Sequence, residues 1–320
     1  MNLQEKPYSI YFDKLCTMPI KIPKSLPAFE ILQQKKVYVM DIDRAEHQDI
    51  RPLRIGIVNL MPTKEQTEAQ LMRLIGSGPL QIEPVLIRMA SYDPKNTARG
   101  HLDSFYVTFD EVRKSGLDGL IITGAPVETL PFAEVDYWPE LCEIMQWGSE
   151  FVSSTLHLCW GAQAGLKFHY GIEKYPLQEK CNGIFPHTHS ACPELLRGMD
   201  DVFFAPHSRH TEVRREDVQA VPELEILAES DYAGLLIVAN KSRSLIFDFG
   251  HLEYDRTTLA DEYARDTKKG LDPEVPYNYF PNDDPNETPK LMWRANAEMF
   301  FRNWVNFVYQ ETPYELRGSE

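Results

Sequence analysis

The stretch Phe151-Val-Ser-Ser-Thr-Leu-His-Leu-Cys159-Trp-Gly-Ala-Gln-Ala-Gly165 constrains this chain more than any other. Phe151 to Leu158 is rich in apolar and β-branched residues, which suits a strand covered on both faces. From Trp160 the residues turn small, so a helix can begin close against the sheet. A cysteine at that corner is expected in strained backbone geometry, with its side chain exposed and a helix N-terminus beneath it. Such a placement favours the thiolate and makes a nucleophile. The competing reading is a buried structural cysteine, and the corner position argues against it.

Size and charge narrow the setting. A chain of 320 residues can bury a sizeable core, as one large α/β domain or two smaller ones. Lys and Arg total 33 against 48 Asp and Glu, a formal net charge of -15. That balance repels phosphate backbones and anionic lipid, so neither nucleic acid nor a membrane surface is expected as a partner. No run approaches the ~20 apolar residues of a membrane span, and the N-terminus lacks the pattern of a signal peptide. The five cysteines show no Cys-x-x-Cys pair, so neither a disulfide framework nor a zinc site is indicated, and a cytoplasmic location is expected.

Residues 1 to about 50 read as an arm punctuated by Pro19, Pro23 and Pro27. Met18 offers a second start site, which would make residues 1–17 an extension before one domain over 18–320. From Leu53 strands and helices alternate: strand Leu53 to Met61, helix Lys64 to Ile75, strand Ile82 to Ile87, helix Phe109 to Lys114, strand Leu117 to Thr123, helix Tyr137 to Gln146, then the strand before Cys159. This order predicts a doubly wound, mostly parallel α/β sheet with helices on both faces. Its ligands should bind at the carboxyl ends of the strands, where Cys159 and the loop Gly124-Ala-Pro-Val-Glu128 both fall. The second half is richer in strands. Residues 270–290, dense in Pro, Asn and Asp, read as a surface wrap or lid, and Arg294 to Tyr309 as a closing helix.

A cysteine nucleophile needs a base, usually oriented by a third group. Of nine histidines, His251 has the best context, directly after the strand Ser244 to Phe249 and thus on the same rim as Cys159. Glu253, two residues on in an extended segment, points to the same side and completes a triad pattern. Cys142 falls inside a helix and reads as structural. Cys181 and Cys192 sit in loop-like segments, His207 reads as pocket wall, and His187 with His189 makes a weak metal pattern.

Cys159-Trp-Gly-Ala-Gln-Ala and Gly250-His251-x-Glu253-Tyr-Asp resemble the homoserine O-acyltransferases of methionine biosynthesis. So do Arg54-Ile-Gly-Ile-Val-Asn-Leu-Met-Pro62, Thr123-Gly-Ala-Pro126, Ala205-Pro-His-Ser208-Arg209 and Val275-Pro-Tyr-Asn-Tyr-Phe280. The resemblance runs from Met18 to about Leu316. It implies a fold like the class I glutamine amidotransferases, a flavodoxin-like sheet, no bound cofactor or metal, and acetyl-CoA as co-substrate with L-homoserine. It also implies a homodimer. By its motifs, Cys159 would take the acyl group, His251 would act as base and Glu253 would orient it. Backbone N–H groups of Trp160, Gly124 and Ala125 would form the oxyanion hole. Lys180, Ser208 and Arg265 would bind the amino acid. Glu128 occupies the position that helps choose the acyl group: a glutamate there fills the space of a succinyl tail and opposes its charge, which points to acetyl-CoA.

Leu252 stands where proline is common in the family, Pro186-His187 where Glu-His is frequent, and Trp293-Arg-Ala-Asn-Ala297 where Trp-Arg-Ser-His-Gly is usual. A serine O-acetyltransferase is therefore a rival reading on the same scaffold, and a homoserine O-succinyltransferase is a second, set back by Glu128. A cysteine hydrolase or glutaminase and a non-catalytic binding protein are more distant ones.

Overall fold

A computed structural model describes residues 20–34, 39–40, 51–92, 97–192 and 194–313. Met18 and the expected extension lie outside the described residues. The strands are β1 (Ile20–Lys21), β2 (Val39–Met40), β3 (Leu53–Val58), β4 (Ile82–Ile87), β5 (Tyr106–Val107), β6 (Gly119–Ile122), β7 (Ser154–Leu158), β8 (Tyr175–His189), β9 (Val202–Glu212), β10 (Leu224–Ser230), β11 (Gly234–Asn240) and β12 (Leu245–Asp248). The helices are α1 (Pro27–Gln34), α2 (Lys64–Ile75), α3 (Arg99–Phe105), α4 (Phe109–Ser115), α5 (Trp138–Phe151), α6 (Trp160–Tyr170), α7 (Arg215–Gln219), α8 (Thr258–Lys268) and α9 (Arg294–Glu311).

Among the described residues, the twelve strands join one sheet in the order β2-β1-β4-β3-β6-β7-β12-β11-β10-β8-β9, with β5 on β4. From β2 to β12 the pairs are parallel; β12-β11-β10-β8-β9 are antiparallel. Parallel strands need crossovers, and the helices that supply them cover both faces. The strand pattern divides accordingly. Ile121 faces a cluster with Leu71, Leu74, Phe300 and Trp304 from α2 and α9, whereas its neighbours Leu120 and Ile122 face Val112, Leu141 and Ile144 from α4 and α5. Trp304 is fully buried and its indole N–H donates to Ser154 Oγ at 3.1 Å. Burying a side chain of this kind contributes ~1.5–3 kcal/mol once its polar atom is satisfied.

Three expectations change. Phe151 does not open the strand before Cys159. It closes α5, where the Val152 N–H caps onto Gly148 O at 3.1 Å, and β7 starts only at Ser154. The arm is not separate from the core over its described part: Ile20, Leu26, Ala28 and Leu32 are buried in the main cluster. Cys181, expected in a loop, lies on the 15-residue β8, which pairs with an equally unexpected extension of β9 to Glu212.

The wrap after α8 is tied down. The Tyr277 N–H donates to Asn182 O at 3.0 Å and the Ile184 N–H to Tyr277 O at 2.8 Å, so this segment adds to the edge of β8. Tyr279 is fully buried and accepts the Ala260 N–H at 3.1 Å.

Candidate active site

Register decides what meets at the rim. Parallel β6, β7 and β12 are neighbours, with Ile122 opposite His157 and Asp248 opposite Leu158. The residues just past their carboxyl ends, Gly124-Ala125, Cys159 and His251, are therefore brought side by side. Cys159 has φ 50° and ψ -114°, a conformation that costs a non-glycine residue on the order of 1–3 kcal/mol. Its N–H donates to Asp248 O at 2.7 Å, while Cys159 O accepts from Ala162 and Gln163 to start α6. The expected exposure is not found: Cys159 is buried, with 8% of its surface accessible.

Two glycines allow this close packing. A Cβ on Gly161 would lie 2.7 Å from the carbonyl oxygens of both Ile122 and Thr123, so only glycine lets the first turn of α6 sit against β6. A Cβ on Gly124 would lie 3.2 Å from Cys159 Cβ, which sets the Gly124-Ala125 backbone directly beside the sulfur. Trp160, fully buried against Phe132 and Tyr137, anchors the start of α6 with its backbone next to the thiol.

His251 is hydrogen-bonded to the Cys159 side chain. Its Nδ1–H donates to Glu253 Oε1 at 2.7 Å, leaving Nε2 for the sulfur. Burial alone drives the imidazole towards its neutral form. The Cys159 sulfur and the Glu253 carboxylate outweigh burial and hold its pKa well above the ordinary histidine value. Leu252, in place of proline, is fully buried and leaves the turn intact. The loop is gripped from three sides. The Arg73 guanidinium of α2 donates to Glu253 O at 3.0 Å, the Trp293 indole N–H to Tyr254 O at 3.0 Å, and the Tyr254 ring stacks on His251 at 4.1 Å.

Lys180 and Ser208 converge on a residue that the motif reading passed over. Glu262 of α8 accepts from Ser208 Oγ at 2.6 Å and from Tyr254 OH at 2.8 Å, and Lys180 Nζ stands 3.8 Å from it. A lone glutamate on an amphipathic helix carries no sequence signal; only the β8–β9 pairing reveals it. Arg265, one turn on, is not drawn into this group. Its side chain is half-exposed and forks onto Asp266 at 2.8 and 3.1 Å. It lines an open cleft of about 850 Å³ together with Lys64, Pro126, Asp255 and Lys269. Lys64 is a second omission: its Nζ is buried against Asn59 O, and burial brings it down to about 8.

Glu128 is half-buried and pinned. Its Oε2 accepts the His210 N–H at 2.9 Å and lies 3.4 Å from Thr211 Oγ1, which also donates to Gln163 Oε1 at 2.9 Å in the first turn of α6. Cys142 is on α5, where burial pushes its thiol up to about 11. His187 pairs with His207, Nε2 to Nε2 at 3.0 Å, inside the β8–β9 wall. Among the described residues there is no group of three His, Cys, Asp or Glu arranged to hold a metal ion, and no helix is long and apolar enough to cross a membrane.

The profile of the homoserine O-succinyltransferase family matches residues 19–314. A homoserine O-acetyltransferase of Brevibacillus brevis is 59% identical over 95% of this chain and 100% of its own length. Another, from Geobacillus kaustophilus, is 58% identical over 93% of this chain and 99% of its own. Among solved structures, a Thermoplasma acidophilum protein provisionally described as part of a GMP synthase superposes with a TM-score of 0.51 at 13% identity, over 82% of this chain and 96% of that one. That likeness concerns the fold alone.

Proposed function

The chain belongs to the homoserine O-succinyltransferase family and is a homoserine O-acyltransferase of glutamine amidotransferase-like fold, and we propose that its acyl donor is acetyl-CoA and its product O-acetylhomoserine. The reaction runs in two steps. The Cys159 thiolate attacks the thioester carbonyl; the tetrahedral oxyanion is held by backbone N–H groups of Trp160 and the Gly124-Ala125 loop. Collapse expels CoA, which leaves with the His251 proton, and an acetyl-cysteine remains. Homoserine then enters, its hydroxyl gives its proton to neutral His251, and the alkoxide attacks the acetyl carbonyl. The second intermediate expels the Cys159 thiolate and restores the ion pair. Lys180 and Ser208 bind the amino acid and Glu262 faces its ammonium, with Arg265 one turn further along the same helix. The setting is cytoplasmic, where both are available.

The observation that carries the donor assignment is Glu128. The family profile is named for succinyl transfer and the relatives for acetyl transfer, so the donor is a matter of local chemistry. Held by the His210 N–H, the Glu128 carboxylate offers a fixed negative charge where a succinyl tail would bring a second. Release of free CoA is the assay, crossing acetyl- and succinyl-CoA with homoserine, serine and no acceptor. Acetyl-CoA with homoserine should turn over fastest; a preference for succinyl-CoA or for serine would refute the assignment. Glu128→Gly should raise kcat/KM for succinyl-CoA relative to acetyl-CoA by ~10–100-fold, the equivalent of ~1–3 kcal/mol.

Gly161→Ala tests the corner. Two backbone carbonyls cannot yield as a side chain would, so α6 must shift. We expect kcat to fall by ~100-fold with a displacement on the order of 1 Å, and stability by ~1–3 kcal/mol, read by steady-state kinetics and urea unfolding.

A further inference from the structure

The proposed route leaves one carboxyl at the site without a task. Asp248, the last residue of β12, is completely buried. Its backbone carbonyl receives the Cys159 N–H at 2.7 Å, and its Oδ1 accepts the Gly250 N–H at 2.9 Å. Its other oxygen, Oδ2, has no hydrogen-bond partner, and neither has Glu253 Oε2. Asp248 thus bonds through its main chain to the nucleophile and through its side chain to the segment that carries His251.

A buried carboxylate is tolerated when a cation or several donors face it. The ionisable groups that act on Asp248 are His251 and Glu253 from the following loop, and Cys159 bonds to its carbonyl from the turn between β7 and α6; on β9, Pro206 O accepts the His251 N–H at 2.8 Å and His207 acts on His251. From β11 the register neighbour is the neutral Ile237. Burial keeps His207 neutral. The Arg73 guanidinium of α2 faces Glu253, whereas His251 is the cation that faces Asp248, and its Nδ1–H is already held by Glu253.

We propose that Asp248 is a positioning residue beneath the Cys159–His251–Glu253 array that acts in its neutral carboxylic acid form, and that its ionisation strengthens the hold of the site on the His251 proton. Neutral, it leaves Glu253 as the sole counter-charge once Cys159 is acylated, and lets His251 give up its proton when homoserine needs a base. Ionised, it adds a second negative charge, and the imidazolium is retained to higher pH. Burial, reinforced by Glu253, pushes the Asp248 carboxyl up to about 7 in spite of the Gly250 N–H and His251, so both forms are reached near neutrality. The two ionisations are coupled, and the acid limb of turnover belongs to the pair rather than to His251 alone.

The inference rests on the proposed role of His251 but is tested without substrates. The rate of Cys159 alkylation by iodoacetamide is measured from about pH 5 to about pH 9 in the native protein and in Asp248→Asn, which keeps the acceptor for the Gly250 N–H. The His251-linked inflection should move down by about one pH unit in the variant, and the acid limb of kcat should move with it. Superimposable alkylation profiles would overturn the proposal, whatever the enzyme's substrates prove to be. If the alkylation inflection moves while acetyl-CoA and homoserine give no turnover, Asp248 stands and the substrate assignment falls.

Stability provides a readout independent of reactivity. An acid whose folded pKa is raised binds a proton that the unfolded chain has already lost, so its contribution falls as pH rises from about 4 towards about 7. Asp248→Asn should therefore gain urea stability relative to the native protein at pH ~8 but not at pH ~4. An equal change at both would overturn the proposal. Should the asparagine variant fail to fold, Asp248→Ser carries the same comparison.

Discussion

Cys159→Ala is expected to reduce kcat by at least ~10⁴-fold while the protein keeps its fold. The size follows from the proposed two-step route. Without the sulfur the acetyl group has no covalent stop, and homoserine would have to attack the thioester directly from a site built to hold the two substrates in turn. What survives is positioning by the oxyanion backbone and the binding pocket, which in triad enzymes is a small residue of the whole. The fold should tolerate the change because φ 50° at this corner is fixed by main-chain bonds, Cys159 N–H to Asp248 O and Ala162 N–H to Cys159 O, which alanine keeps. Cys159→Ser is the sharper control: it preserves shape and hydrogen bonding but replaces the thiol with a far weaker acid. Mass spectrometry of native protein quenched with acid after mixing with acetyl-CoA alone should find one acetyl group on Cys159. An alanine variant with more than about a tenth of native turnover would discard the covalent route.

Much of this site was legible because it is local. A strand running into small residues predicts a corner, and Cys159 occupies one; His251 and Glu253 follow a strand closely, but they meet across a turn closed by the Tyr254 N–H on His251 O at 3.1 Å rather than along the extended segment expected. Register was not legible. That β12 would lie beside β7, and so set His251 against Cys159, depends on a chain reversal through β8 to β11 that single-strand patterns do not encode. The segment around Cys181 read as loop-like, yet pairing of Cys181 to Gly183 with β9, and of Gly183 with Tyr277, makes it strand. Glu262, Arg73 and Asp248 were invisible for a related reason. Each is an ionisable residue in an amphipathic or apolar element, and its meaning comes from what the fold packs against it. Arg265 shows the converse, since a family motif named it while its guanidinium turns to Asp266.

Glu253→Gln should lower kcat by ~10²–10⁴-fold with little change in KM for acetyl-CoA. The side chain stays in place, because Arg73 and Trp293 hold the backbone of this loop rather than its carboxylate. What changes is the proton. A carboxylate accepts only, so it fixes His251 with Nδ1 protonated and Nε2 turned to the sulfur. A glutamine can donate its amide to Nδ1 instead, which stabilises the tautomer protonated at Nε2, unable to take a proton from thiol or homoserine. It also removes the charge that sustains the imidazolium, so the Cys159–His251 ion pair weakens and alkylation of Cys159 slows at neutral pH. Asp248 then becomes the remaining carboxyl near His251. Relieved of repulsion from Glu253, it ionises more readily and supplies part of the missing charge, though from a position that does not orient Nδ1. The double variant Asp248→Asn, Glu253→Gln should consequently lose more imidazolium than the sum of the single changes predicts, a coupling that a double-mutant cycle on the alkylation pH profile measures directly. Strict additivity would mean that the two carboxyls act on His251 independently. A Glu253→Gln enzyme within about threefold of native kcat would remove Glu253 from the proton path altogether.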